Sequence, residues 1–150
     1  MHIKRVAAAA AAAAAAMLIA ATPANARSDG DQTNCGHLDD TLCLYYNSND
    51  QGSHIGIYGA VYNYQFTNVC GSSGCTTYRF NTSGNGYGTA VKNNAASFYN
   101  EAGWVYWTFY NSGYGGTRDT ADPNGFGTYY GNLNGTYNNN ASQMANAETG

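Results

Sequence analysis

The sequence has few charged residues, and few of these are basic. Charged residues make up 10% of the 150 positions, with six Lys and Arg against nine Asp and Glu. Binding to nucleic acid or to anionic lipid requires clustered Lys and Arg that neutralise phosphate groups. No such cluster follows the first few residues, so neither nucleic acid nor a membrane surface is a predicted partner.

A sustained helical period is also missing after residue 26. In its place the chain has 19 Gly and 14 Tyr, and short apolar stretches alternate with turn residues. This pattern is typical of an all-β protein with many short strands. The aromatic residues are too frequent for a disordered chain.

Catalytic motifs are absent as well. Neither His37 nor His54 belongs to a Gly-x-Ser-x-Gly or His-Glu-x-x-His sequence. The acidic residues Asp39, Asp40 and Glu101 form no recognisable catalytic pair. We therefore predict that the protein is not an enzyme and requires no cofactor.

The first 26 residues have the features of an export signal. Lys4 and Arg5 precede an alanine-rich apolar run over 6–21, and Ala24-Asn25-Ala26 is a small-x-small cleavage site. Cleavage after Ala26 predicts a secreted, extracellular protein that begins at Arg27. Loss of the two basic residues leaves four Lys and Arg against nine Asp and Glu, a formal net charge of −5.

All four cysteines lie in the exported part. An even number of cysteines in an oxidising compartment favours two disulfides, and the absence of Cys-x-x-Cys spacing disfavours a zinc site. Three pairings are open. We predict the two local ones, Cys35–Cys43 and Cys70–Cys75.

The exported chain divides into a polar lead-in over 27–41 and one domain over 42–148, predicted to be monomeric. Its length suits a single core. Apolar and aromatic patterning predicts strands between turn signals. The predicted strand regions are 42–46, 53–66, 76–80, 104–110 and 126–130, with loops at 81–88 and 132–140 and a turn at 122–125.

Two short sequences each occur twice, in the same order. Tyr45-Tyr46-Asn47-Ser48 returns as Phe109-Tyr110-Asn111-Ser112, and Asn93-Asn94-Ala95-Ala96-Ser97 returns as Asn138-Asn139-Asn140-Ala141-Ser142. Repetition in this order predicts a duplicated supersecondary unit. We place its two copies at 42–100 and 103–148.

The first repeated sequence resembles the folded hairpin of a βγ-crystallin Greek key. In Phe109-x4-Tyr114-x-Gly116 an aromatic ring would cover the bend, and glycine would supply the backbone angles. The first copy keeps Tyr45 and Gly52 but has Asp50 in place of the second aromatic residue. The serine that ends each Asn-Asn sequence is placed to hydrogen-bond a folded hairpin. The resemblance implies a βγ-crystallin-like sandwich of two Greek-key motifs.

From Cys35 to Ser142 the chain also resembles the Streptomyces metalloproteinase inhibitor family of secreted peptidase inhibitors. The resemblance rests on the residues 43–49, 91–97, 110–116 and 137–142. It implies inhibition of an extracellular peptidase, in particular a metalloprotease. Two alternatives stay open: a calcium-responsive structural or envelope-associated module, and a small secreted toxin.

The Asn-Asn sequences also resemble the calcium-binding sequence of βγ-crystallins. Ca²⁺ accepts oxygen ligands, and neutral ligands predict weak binding, in the range of roughly 10⁻⁴–10⁻³ M. An alternative is that these Asn and Ser side chains only bond local backbone. The residues implied as ligands are Asn93, Asn94, Ser97, Asn138, Asn139 and Ser142.

An inhibitory loop should be restrained before it binds, so that little entropy is lost on binding. The best candidate lies in the part that lengthens the first copy of the repeat, where a local disulfide would close it. A plain β-turn closed by a cystine is the alternative. The loop consists of Val69, Cys70, Gly71, Ser72, Ser73, Gly74 and Cys75.

Overall fold

The computed structural model describes residues 27–36, 40–66 and 77–146. The predicted export signal, the residues 37–39, the candidate loop 69–75 with Cys70 and Cys75, and residues 147–150 lie outside this part. Every regular element in the described residues is a β-strand, so the predicted all-β class is confirmed. These residues contain no helix long and apolar enough to cross a membrane.

In the described part of the chain, eight strands form two antiparallel sheets. They are β1 (Gln32–Thr33), β2 (Thr41–Asn47), β3 (Gln51–Tyr58), β4 (Ser97–Asn100), β5 (Val105–Asn111), β6 (Gly115–Ala121), β7 (Tyr130–Asn132) and β8 (Ser142–Asn146). One sheet has the order β1-β3-β2-β4-β7, and the other has the order β6-β5-β8.

Each half of the chain also pairs with the sheet that contains most of the other half. We refer to β2, β3 and β4 with the segment between them as the first half, and to β5–β8 as the second half. The second half sends β7 to the edge of the first sheet, where Phe98 of β4 pairs with Gly131. The first half sends Val61 to the other sheet, where it pairs with Gln143 of β8. These pairings tie the two halves into one sandwich.

The core lies between the two sheets. Alternation along β2 and β3 turns Leu42, Leu44, Ile55 and Ile57 to the same side, as expected for side chains on opposite faces of a strand. The second half contributes Tyr106, which is also fully buried. The rest of the core comes mainly from the long segment between β3 and β4, including Val61, Tyr64, Tyr78, Phe80 and Val91.

The strands predicted at 42–46 and 104–110 are confirmed within one residue at each end. The strand predicted at 126–130 is wrong, because only Tyr130 belongs to β7. Asp122 prevents an earlier start, since its Oδ2 accepts a hydrogen bond from the Thr128 amide at 2.7 Å. A left-handed backbone at Gly127 (φ 48°) completes this local loop.

Two other strand regions are shorter than predicted. The 53–66 region ends as a strand at Tyr58, and Val61 then makes only an isolated bridge to the other sheet. In the described part of 76–80, Arg79 makes an isolated bridge with Ala90 and no regular strand forms. Both segments change sheets or bend within a few residues, so their β-branched and aromatic residues pack as core.

The lead-in is more structured than predicted. Its strand β1 adds to the edge of the first sheet, with Gln32 opposite Ile57. Farther on, the predicted Cys35–Cys43 disulfide joins the lead-in to β2, with a Cα–Cα distance of 5.8 Å. The polar sequence predicted no strand, because a two-residue strand pairs by backbone and needs no apolar pattern.

Candidate functional site

The two copies of the hairpin sequence form β-hairpins with the same backbone geometry. In the second half, Tyr114 and Gly116 have φ angles of 61° and 79°. In the first half, Asp50 and Gly52 have φ angles of 55° and 81°. Each hairpin also contains a register shift in the first of its two strands. The predicted repeat therefore corresponds to two folded hairpins.

A buried serine fastens each hairpin, as predicted. Ser97 Oγ donates to the Asn47 carbonyl oxygen at 2.6 Å and accepts from the Asp50 amide at 2.9 Å. Ser142 makes the equivalent bonds: its Oγ donates to the main chain of residue 111 at 2.7 Å and accepts from the amide of residue 114 at 3.1 Å. Both hydroxyls are therefore committed to backbone groups.

The side chains that close the two hairpins differ. In the second half the rings of Phe109 and Tyr114 lie edge to face, with centroids 5.9 Å apart. In the first half Asp50 replaces that ring, and its buried Oδ1 has no hydrogen-bond partner among the described residues. Burial raises the pKa of the Asp50 carboxyl above its usual value, and a hydrogen bond with Ser97 opposes this effect. Burial, together with the Asp50 charge, raises the pKa of Tyr45 to about 12.

The two Asn-Asn sequences lie side by side and cross-link the halves. The Asn93 amide donates to the Asn140 carbonyl oxygen at 2.7 Å, and the Asn138 amide donates to the Ala95 carbonyl oxygen at 3.0 Å. Asn93 and Asn138 both have left-handed backbones, with φ angles of 63° and 50°. Asparagine tolerates this conformation better than most residues, which accounts for its presence at both positions.

Two clefts lie where the hairpins meet the Asn-Asn sequences. Cleft one has a volume of about 390 Å³ and is lined by Tyr46, Asn47, Ser48, Asn93, Asn94, Tyr137 and Asn138. Cleft two has a volume of about 250 Å³ and is lined by Lys92, Asn93, Tyr110, Asn111, Ser112, Asn139 and Ala141. Each cleft lies against the hairpin of one half and is lined by residues of both Asn-Asn sequences.

Four of the six residues implied as calcium ligands therefore line a cleft, and two do not. The asparagines at 93, 94, 138 and 139 line the clefts, whereas Ser97 and Ser142 bond the hairpins. Side chains around cleft one offer neutral amide and hydroxyl oxygens, a donor type that Ca²⁺ accepts. Among the described residues, no group of three or more His, Cys, Asp or Glu could hold a metal ion.

Cleft two differs from cleft one by a charge. Lys92 Nζ lies 3.1 Å from Asn63 Oδ1 and 3.3 Å from Ser112 Oγ. The ammonium group thus lies beside two neutral side-chain oxygens. Sequence analysis missed Lys92, although its position directly before an Asn-Asn sequence was a usable signal.

The candidate inhibitory loop lies outside the described residues, but the chain on both sides of it is described. Tyr64 and Tyr78 are fully buried, and the Tyr78 amide donates to the Tyr64 carbonyl oxygen at 3.3 Å. Their rings lie edge to face at 6.3 Å, and Tyr64 Oη also donates to Gln143 Oε1 at 3.0 Å. The segment that contains residues 69–75 thus starts and ends at one buried point of the core.

His54 and Glu101 lie apart from these clefts. His54 packs against Tyr45, with ring centroids 5.0 Å apart, and burial lowers the pKa of its imidazole. Glu101 is buried and accepts a hydrogen bond from Thr41 Oγ1 at 3.2 Å. The residues 37–39 lie outside the described part.

No family model matches this sequence, and no curated protein matches it. Among solved structures, the chain is similar to one described as "Evolution of the eye lens beta-gamma-crystallin domain fold". The similarity has a TM-score of 0.50 at 12% sequence identity, and it covers 77% of this chain and 94% of the other. At this identity the similarity establishes the fold, which is βγ-crystallin-like as predicted, and it carries no function.

Proposed function

We propose that this chain is a secreted inhibitor of an extracellular peptidase, in particular a metalloprotease, built on a βγ-crystallin-like domain. Inhibition is assigned to the loop 69–75. The observation that carries the proposal is the buried base of the segment around that loop, where Tyr64 and Tyr78 are joined by a backbone hydrogen bond and an edge-to-face ring contact.

A rigid base favours inhibition for an entropic reason. Fixing a flexible loop on binding costs conformational entropy, and a loop restrained beforehand avoids part of this cost. Both tyrosines are fully buried, so the two ends of the segment cannot separate without disrupting the core. The predicted Cys70–Cys75 disulfide would shorten the free part of the loop further.

The residues that carry the family resemblance support the scaffold rather than the reactive site. Ser97 of β4 donates to the Asn47 carbonyl oxygen in the first hairpin, and Ser142 of β8 donates to that of Asn111 in the second. The resemblance therefore supports a shared fold with the inhibitors, and a shared activity has to be measured.

The first experiment titrates the mature protein, beginning at Arg27, against extracellular metalloproteases and serine proteases. We expect at least one metalloprotease to lose its activity as inhibitor is added. A variant with residues 71–74 replaced by another four-residue linker, with both cysteines retained, should lose inhibition.

The matched control is Phe126→Ser, which changes an exposed side chain in a loop of the second half. It should inhibit like the wild type. Full inhibition by the linker variant, with an unchanged circular dichroism spectrum, would show that loop 69–75 is not the reactive site.

A second candidate function is a calcium-responsive module, and cleft one favours it. Its side chains supply amide and hydroxyl oxygens from two hairpins that the fold already holds in place. Binding of Ca²⁺ at tenfold excess over its dissociation constant would stabilise the folded state by about 1.4 kcal/mol. The melting temperature should therefore rise between chelator and about 10 mM Ca²⁺.

Asn138→Asp sharpens this test. Asn138 is exposed and lines cleft one but not cleft two, and a carboxylate there adds ligand charge while keeping the left-handed backbone accessible. We expect a larger Ca²⁺-dependent shift than in the wild type. Asn81→Asp, at an exposed position that lines neither cleft, is the matched control. Melting curves that do not respond to Ca²⁺ in any of the three proteins would eliminate this candidate.

A further inference from the structure

Lys92 and Tyr137 are equivalent positions of the internal repeat. Each directly precedes an Asn-Asn sequence, and the loops that follow them have matching bonds. The Asn94 side-chain amide donates to the Lys92 carbonyl oxygen at 2.9 Å, and the Asn139 side-chain amide donates to the Tyr137 carbonyl oxygen at 3.1 Å. The backbones of Lys92 and Tyr137 are therefore in equivalent positions of the two halves.

Both side chains also reach the same place. Tyr137 Oη lies 3.1 Å from Ser48 Oγ in the first hairpin, and Lys92 Nζ lies 3.3 Å from Ser112 Oγ in the second. Ser48 and Ser112 are themselves equivalent residues of the repeated hairpin sequence. The halves thus differ at this point by a neutral hydroxyl in cleft one and an ammonium group in cleft two.

An ammonium group and a metal cation compete for the same oxygens. The Lys92 ammonium donates hydrogen bonds and accepts none, so its neighbours Asn63 Oδ1 and Ser112 Oγ must act as acceptors. A divalent cation in cleft two would meet a positive charge at short range, and it would compete with Lys92 for Ser112 Oγ. The residues of cleft two therefore do not fit Ca²⁺, whereas those of cleft one do.

We propose that Lys92 is a built-in cation that fills cleft two and confines Ca²⁺ binding to cleft one. Removal of its charge opens a second cation site of the same neutral-oxygen type. This inference rests on the second candidate function, the calcium-responsive module, and is independent of peptidase inhibition.

The test is the number of Ca²⁺ ions bound, measured by isothermal titration calorimetry of the mature protein with Ca²⁺ alone. Wild type should bind one ion. Lys92→Gln and Lys92→Met, which remove the charge in two ways, should bind two. The reverse change, Tyr137→Lys, should place an ammonium group in cleft one and abolish binding.

Melting in chelator provides a second readout. Lys92→Met should melt at a lower temperature than wild type without Ca²⁺, because Asn63 and Ser112 lose their donor, and about 10 mM Ca²⁺ should restore part of the loss. A structural role of Lys92 alone would lower the melting temperature without any recovery in Ca²⁺.

The outcomes distinguish the role of Lys92 from the calcium-responsive module on which it rests. One ion bound by both wild type and the Lys92 variants overturns the role of Lys92 and leaves the calcium module standing. One ion bound only by the Lys92 variants supports the role of Lys92 and overturns calcium binding by the natural protein. No ion bound by any of these proteins overturns both.

Discussion

The two halves of this molecule share a backbone and differ in the side chains that use it. Both hairpins have three left-handed residues at equivalent positions, and a buried serine fastens each. The second hairpin is closed by the ring of Tyr114, whereas the first is closed by Asp50. Backbone bonds thus preserve the fold in both halves, while the side chains at the hairpin and in the cleft can diverge.

The lead-in and the first half together contain the cysteines and the candidate inhibitory loop, which have no counterpart in the second half. All four cysteines of the chain lie at or before residue 75, and so does the candidate inhibitory loop. The second half has shorter connections and no cysteine. Under the proposed function, the first half is the part that binds a peptidase.

The largest expected effect comes from the disulfide that joins the lead-in to the first half, which has no counterpart in the second half. Replacement of both Cys35 and Cys43 by Ala should lower the free energy of unfolding by about 2–3 kcal/mol, because a short closed loop no longer restrains the unfolded chain. Urea unfolding followed by tryptophan fluorescence measures this loss. Unchanged stability of the double variant would contradict it, and the wild type under reducing conditions provides a comparison.

The two buried serines test whether the hairpins depend on them equally. In Ser97→Ala and Ser142→Ala, a partly buried amide and a partly buried carbonyl group each lose a hydrogen bond, at a cost of about 1–2 kcal/mol. We expect Ser97→Ala to cost more, because the ring of Tyr114 still covers the bend of the second hairpin and Asp50 stands at this position in the first. Urea unfolding of both variants decides the order.

The matched control for the serines is Ser83→Ala, at an exposed position in a loop. It should be neutral within roughly 0.5 kcal/mol. A larger loss for Ser142→Ala than for Ser97→Ala would show that the ring of Tyr114 does not compensate for its serine.

The smallest effect concerns Asp50 and depends on pH. Because burial raises its pKa in the folded state, the folded protein favours the neutral carboxyl. Stability from this group is greatest below the ordinary aspartate pKa and is lost as the pH rises through the higher folded value. An asparagine side chain mimics the neutral carboxyl, so Asp50→Asn should stabilise the protein near pH 7 and have little effect near pH 3.

The expected gain at neutral pH is roughly a few tenths of a kcal/mol, since solvent screens a half-buried charge. Melting temperatures of the wild type and the variant between about pH 3 and pH 7 measure it. A gain that is the same at both pH values would mean that the charge of Asp50 plays no part. The second hairpin, with Tyr114 at the same position, should show no such pH dependence when Tyr114 is replaced by Phe.

Local sequence patterns predicted much of this fold. Leu42 and Leu44 alternate with polar and small neighbours as a half-buried strand requires, and the repeated residues predicted the two hairpins and their serines. Strand β7 was misplaced because two hydrogen bonds between Asp122 and Thr128 close the loop that precedes it. Such local bonds leave no periodic signal in the sequence.

The clefts could be predicted only in part. The sequence predicted that the asparagines are ligands of Ca²⁺. It did not predict that each Asn-Asn sequence faces the hairpin of the other half. That crossing depends on long-range backbone bonds such as Asn93 to Asn140. Only this crossing shows that two contacts are equivalent: Lys92 with Ser112, and Tyr137 with Ser48.

Inhibition of a peptidase through the loop of the first half is tested most directly by hydrogen exchange of the mature protein, with and without an excess of an extracellular metalloprotease. The bound protein should exchange more slowly in peptides that cover residues 65–77, and peptides from the loop 122–129 of the second half should not change. Identical exchange in every peptide, or protection confined to the second half, would contradict the proposed function.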